Sequence, residues 1–274
     1  MRLDGHVAPK AFFTTTVNIE RKGYSILHID KYEEDYLITM PKIHIEGLMS
    51  GSLSPELSGT TYIRSSSGYT AKIDYSSRGW MSGKKNSFLA SLFHDNQEKH
   101  PLYTAEGQWS GDFTIKNVAK KEVVETYDTS LKTTPLQVAP LEHQHPLESR
   151  KAWQHVVAAI ERNDYMGVGK EKSKIENGQR EMRKREKASG TEHQLRYFSK
   201  VKRDLIAEKL ADGMCRKMSM KGELGAGHHE IWAWDEEKYR KIQRDMMDGV
   251  KTPTRTRFHS GVGGIIFCKV ESVE

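Results

Sequence analysis

Two cysteines in 274 residues, Cys215 and Cys268, are too few and too far apart for a disulfide framework or a zinc site. They suit a reducing compartment. No stretch reaches the ~18 apolar residues of a membrane span, and Met1 to Lys10 lacks the apolar core of a secretory signal. A cytoplasmic chain, peripheral at membranes, is expected. Catalytic signatures are missing too: there is no Gly-x-Ser-x-Gly, no Walker loop and no acidic pair placed by a motif. Neither an enzyme nor a cofactor is expected. His143 with His145, and His228 with His229, are ligand types without a third ligand at zinc spacing, so no metal is expected either. Hydrophobic residues make up only 36% of the chain against 29% charged, so polar surface is abundant.

What is present is positive charge and alternation. The net charge of +6 and a pI near 9.1 favour an anionic partner, a property shared by nucleic acids, anionic membranes and phosphorylated ligands. The basic run Arg180 to Lys187 is interrupted by glutamates and lacks an aromatic stacking platform, so no nucleic acid is expected. From Phe12 to about Lys116, short alternating runs are punctuated at Ser50-Gly51-Ser52, Ser65 to Gly68 and Ser82-Gly83, which predicts an antiparallel meander. In Lys42 to Met49, Ile43, Ile45, Gly47 and Met49 share one face and Lys42, His44 and Glu46 the other. Asn86 to His94 is apolar on both faces, Phe88, Ala90 and Leu92 against Leu89 and Phe93, which fits a container wall or an ordinary sandwich core.

Beyond Lys116 the pattern changes. Lys132 to Pro146 carries Pro135, Pro140 and Pro146 and reads as irregular. A helix after Pro146 has an apolar stripe of Ala152, Val156, Ala159 and Ile160. A second, highly charged helix from about Gly169 to Ala188 has Ile175 and Met182 as its apolar residues and Gly190 as its stop. Asp212 to Gly227 reads as loop or disordered, and a last helix spans Ile231 to about Met247. On the charged helix Lys172, Glu176 and Arg180 recur every four residues and share a face over ~12 Å. Two cations at that spacing can grip a phosphate, while a solvated helix laced with salt bridges gives the same pattern.

Four stretches then resemble the ligand-binding domain of the oxysterol-binding-protein family of lipid-transfer proteins. They are Pro41-Lys42-Ile43-His44-Ile45-Glu46-Gly47, residues 79–88 (Gly79-Trp80-Met81-Ser82-Gly83-Lys84-Lys85-Asn86-Ser87-Phe88), Leu102 to Gly111, and Pro146-Leu147-Glu148-Ser149-Arg150-Lys151-Ala152-Trp153. The resemblance runs from Leu3 to about Phe198, and more weakly over Trp232 to Arg240. It implies a mainly β fold with α: a large antiparallel, incomplete β-barrel followed by a carboxy-terminal helical segment. One partial lipid-binding domain over residues 1–250 is expected, strands in 1–120, helices in 146–250, with 251–274 an irregular tail.

The implied work is non-enzymatic binding and transfer of a sterol or phosphatidylinositol 4-phosphate in a tunnel, at an anionic membrane surface. Lys172, Glu176 and Arg180, with Gln179 beside them, match the family's headgroup-contacting residues, and Lys10 resembles a basic residue near the tunnel mouth. The family's Glu-Gln-x-Ser-His-His-Pro-Pro element is absent, since His6 is followed by Val7 and Ala8, and the amino-terminal lid is missing as well. An amino-terminally truncated domain is therefore implied. The competing expectation is an interaction or regulatory remnant of the same fold that no longer transfers lipid.

Overall fold

The structure is a computed structural model that describes residues 1–13, 16–47, 51–76, 85–135, 137–146, 148–191, 195–212 and 231–247. Met49, Ser50, residues 79–84, Leu147, Cys215, Gly222 to Gly227, the His228-His229 pair, Cys268 and the tail expected over 251–274 lie outside the described residues. Two compact units are formed, one from Met1–Leu136 with Val201–Ile231, the other from Gln137–Lys200 with Trp232–Glu274.

Among the described residues the first unit has a sheet of ten strands, and all pair antiparallel. They are β1 (Arg2–Phe13), β2 (Val17–Ile29), β3 (Glu34–Thr39), β4 (Lys42–Glu46), β5 (Ser54–Ser65), β6 (Tyr69–Ser76), β7 (Ser87–His94), β8 (Tyr103–Gln108), β9 (Phe113–Asn117) and β10 (Glu122–Tyr127). Their order is β1-β2-β3-β5-β6-β7-β8-β9-β10, with β4 paired to β2 and β5. The end strands β1 and β10 do not pair with each other, so the ladder is an open sheet and not a closed barrel.

Alternation places the strands, and local chemistry places their breaks. β3 and β4 both lie between β2 and β5, β3 against Tyr36↔Ser65 to Ile38↔Ile63 and β4 against Lys42↔Ser58 to Glu46↔Ser54. Pro41, which has no N–H to give a ladder, separates them. Its carbonyl instead accepts from Arg21 Nε and Nη2 at 3.1 and 3.0 Å. Gly23, at φ +135°, lies opposite Val7, and a Cβ there would meet the His6 carbonyl oxygen at 1.8 Å. Only glycine permits that strand approach. The Ser65 to Gly68 punctuation becomes the β5–β6 turn, closed by Gly68 N–H on the Ser65 carbonyl.

Helix α4 (Leu205–Asp212) packs on β3 and β5 and is tied at both ends. Asp204 Oδ1 caps its first turn by accepting from the Ile206 and Ala207 amides at 3.1 and 3.0 Å, and its Oδ2 accepts from Tyr24 Oη at 2.8 Å. At the other end Arg64 donates to the Leu210 carbonyl while gripping Asp95, which also accepts from Thr70. Burial opposes ionisation of Asp95, but these bonds prevail and hold its carboxyl below the usual range. Between the two ties lies the apolar cluster Tyr24, Ile26, Leu37, Ala207 and Leu210.

The second unit holds α1 (Ser149–Ala152), α2 (Gln154–Glu161), α3 (Tyr165–Ser189) and α5 (Glu236–Met247), and β11 (Phe198–Val201) pairs β12 (Ile231–Trp234) in a separate sheet. Three sequence expectations are corrected here. Ile231 to Trp234 is strand, and the last helix begins only after Asp235, whose Oδ1 caps the Lys238 amide at 3.0 Å. The charged helix starts at Tyr165, four residues early, because Asp164 caps it by accepting from the Gly167 amide at 2.8 Å. Ile160 is 58% exposed, unlike its buried stripe partners Ala152, Val156 and Ala159.

Leu37 has no exposed surface. Leu37→Ala should therefore cost about 2–5 kcal/mol, read as a lower urea midpoint.

Candidate functional site

Helix α3 shows why its sequence gives a long charged helix. Its buried line is only Ile175, Gln179 and Met182, spaced four and three residues apart. Gly190, at φ +66°, ends it by returning its amide to the Glu186 carbonyl. The remaining surface is solvated and cross-linked at one-turn intervals: Lys174 reaches Glu171 at 2.6 Å and Lys184 reaches Glu181 at 3.0 Å.

Lys172, Glu176 and Arg180 are brought together on that surface. Lys172 Nζ lies 2.9 Å from Glu176 Oε1, and Arg180 Nη2 lies 3.8 Å from Glu176 Oε2. Arg180 Nη1 also donates to Asn177 Oδ1 at 2.8 Å. Both cations remain more than half exposed at the side chain, which leaves their donors accessible. The hydrogen bond and charge of Lys172, then the charge of Arg180, hold Glu176 below the usual carboxylate range. An ionised acceptor thus stands between two cations. Gln179, the neighbour that the family pattern places beside Arg180, is buried and belongs to the packed side of the helix.

Lys10 is on β1 in the first unit, exposed and opposite Glu20 in the β1–β2 register. No group of three or more His, Cys, Asp or Glu residues able to hold a metal occurs among the described residues. His145 is buried; Glu148 Oε1 accepts from its backbone amide at 3.0 Å and from Tyr197 Oη at 3.0 Å. Burial first, then the positive charges of Arg196 and Lys151, push the His145 imidazole down to about 4.

Sequence reasoning passes over two further features of the sheet. Tyr69, Leu92, Pro101, Leu102, Tyr103, Asn117 and Ala119 line an apolar recess of about 510 Å³. The apolar run of Asn86 to His94 gives an advance signal of it, through Leu92. Glu56 is fully buried: its Oε2 accepts from the Asn86 amide at 3.0 Å, while its Oε1 has no hydrogen-bond partner among the described residues. A lone glutamate among serines and a proline gives no sequence hint of such burial.

The model of the family described as oxysterol-binding protein matches residues 1–158. The chain belongs to the oxysterol-binding-protein family. A probable transporter, efuK, of Hormonema carpetanum is 39% identical over 251 residues, covering 89% of this chain and 35% of that protein. The chain therefore spans about a third of that relative's length. Among solved structures, the Osh1 ORD domain in complex with cholesterol superimposes with a TM-score of 0.57 at 16% identity, over 87% of this chain and 58% of the other. The Osh3 ORD of Saccharomyces cerevisiae in complex with PI(4)P gives 0.53 at 18% identity, over 80% and 63%. At such identities these two share the fold. The family match ends at residue 158, before α3 begins at Tyr165. No helix among the described residues is long and apolar enough to cross a membrane.

The depressed His145 imidazole sets a pH dependence. Unfolded, it titrates near 6.5, so above that pH both states are neutral and the full stability is present. As pH falls towards 4, the unfolded chain gains a proton that the folded one resists. On the order of 3 kcal/mol should be lost across this window. His145→Asn should flatten the change, measured by urea unfolding between pH 7 and pH 4.

Proposed function

We propose that this chain binds a lipid without covalent chemistry and carries it between membranes. The half-buried apolar faces of the antiparallel strands take the lipid body, a sterol or the acyl part of phosphatidylinositol 4-phosphate. Lys172 and Arg180 take the phosphorylated headgroup, Lys172 as a compact charge and Arg180 as a planar fork. Glu176 holds both cations in place before the ligand arrives and can accept from headgroup hydroxyls. Lys10 adds a further cation at the mouth of the lipid site. In this reading residues 1–250 act as one partial lipid-binding domain, cytoplasmic and transiently peripheral at anionic membranes.

The observation that carries the reading is the convergence of Lys172 and Arg180 on Glu176, on an exposed helix face of a chain in this family. The fold neighbours support the ligand class: the Osh1 domain was solved with cholesterol and the Osh3 domain with PI(4)P. Surface ion pairs of this sort add little to stability, about 0–1 kcal/mol each, so removing them tests binding with little effect on folding.

Lys172→Ala with Arg180→Ala should reduce extraction of phosphatidylinositol 4-phosphate from liposomes by at least about tenfold, since two charge-assisted contacts are lost. Transfer of a fluorescent sterol should change much less. Normal phosphoinositide extraction by the folded double variant refutes the headgroup assignment.

A further inference from the structure

The tip where α2 meets α3 exposes apolar side chains that the proposed headgroup contacts do not use. Tyr165 is 82% and Met166 87% exposed, in the first turn of α3, and Val157 and Ile160 stand exposed one turn apart on α2. Helices α2 and α3 lie against each other, and each keeps its own buried residues, Val156 and Ala159 on α2 and Ile175, Gln179 and Met182 on α3, to which these four do not belong. The tip is also built rather than loose. Asn163 takes the left-handed conformation at φ 55°, its amide returns to the Ile160 carbonyl, and the Asp164 amide returns to the Ala159 carbonyl. Asp164 then caps α3 so closely that a Cβ on Gly167 would meet its Oδ2 at 2.0 Å.

Charge decides what such an apolar tip fits. Ser149 to Thr191 carries eleven lysines and arginines against six acidic residues. Arg162 lies in the turn and Lys170 lies one turn beyond Met166 on the same side of α3, and neither forms an ion pair among the described residues. Of the acidic residues around the tip, Asp164 is engaged as the cap and Glu171 is paired with Lys174, which leaves Glu161. Tyr165 further shares its helix stripe with Gly169, Lys172 and Glu176, spaced by four, seven and eleven residues.

We propose that this tip is a membrane-docking element that seats in the interface of an anionic bilayer. Val157, Ile160 and Met166 enter the acyl boundary and the Tyr165 ring sits at headgroup level. Arg162 and Lys170 meet the anionic phosphates. Because Tyr165 heads the stripe that carries Lys172 and Glu176, docking brings that stripe to the headgroup layer. The inference rests on the reading of the chain as a lipid carrier that works at membranes. A groove on a protein partner would be expected to match an apolar face without demanding a cationic surround.

The test is flotation of the whole chain with phosphatidylcholine vesicles, with and without phosphatidylserine and without phosphoinositide. Wild type should float with the anionic vesicles, Tyr165→Ala/Met166→Ala should bind about tenfold less, and Arg162→Ala/Lys170→Ala about fivefold less per cation removed. Unchanged far-ultraviolet circular dichroism checks folding, which these exposed side chains do not support. Lys172→Ala/Arg180→Ala should keep most of the flotation while losing phosphoinositide extraction, which separates the two readings. Wild-type flotation by the Tyr165/Met166 variant, or no flotation by wild type, overturns the proposal. So does a self-association of the chain that this variant abolishes, which would assign the tip to a second copy.

Discussion

The strand-rich unit depends on the way α4 is fastened across it. Most side chains of the ten-stranded open sheet are only half covered. Asp204 at one end of α4 and the Leu210 carbonyl at the other meet Tyr24 and Arg64, residues of β2 and β5. The Arg64 contact satisfies one of the carbonyls of the last turn, and the Tyr24 contact holds the carboxylate that caps the first. They hold Ala207 and Leu210 over Tyr24, Ile26 and Leu37, and the driest part of the unit follows from that placement. The sheet is thereby organised around one short helix.

How much of this was legible in the sequence depended on how much each element relies on its neighbours. The alternation of Lys42 to Met49, within which β4 forms, was visible because a period of two is a local property. Leu89 and Phe93 share one face of β7, yet Phe93 is buried and Leu89 largely exposed. How deeply each position along a face is covered is a tertiary matter. Helix α4 and the four-residue strands β11 and β12 are too short to show a period, and their residues form structure because distant groups anchor them. The start of α3 was misplaced because Gly167 and Gly169 weaken helix propensity. The Asp164 cap, and the glycine it requires nearby, reverse that penalty.

The charged helix illustrates a different limit. A spacing of four between Lys172, Glu176 and Arg180 is what a solvated helix uses for its own support, and the same three residues do make those ion pairs. A stabilising pattern and a ligand-gripping pattern are the same pattern until a ligand is considered. The preference for a phosphorylated headgroup came from resemblance to a family, and the family match itself stops at residue 158. The electrostatics make the proposed role compatible with the stabilising one. An ionised Glu176 keeps the cations from repelling each other, so the proposed contacts would need little rearrangement to meet an anion.

The break at Pro41 has a mechanical meaning. Because β3 and β4 both lie along one side of β5, while β6 lies along the other, β5 is read against three partners at once. A slip of one residue would turn its side chains to the opposite face along all three ladders together. Two short partners separated by a proline thus act like two pins in one rod, fixing translation where a single long partner would leave a sliding mode. An open sheet with free end strands can yield at its margins, but its middle is keyed.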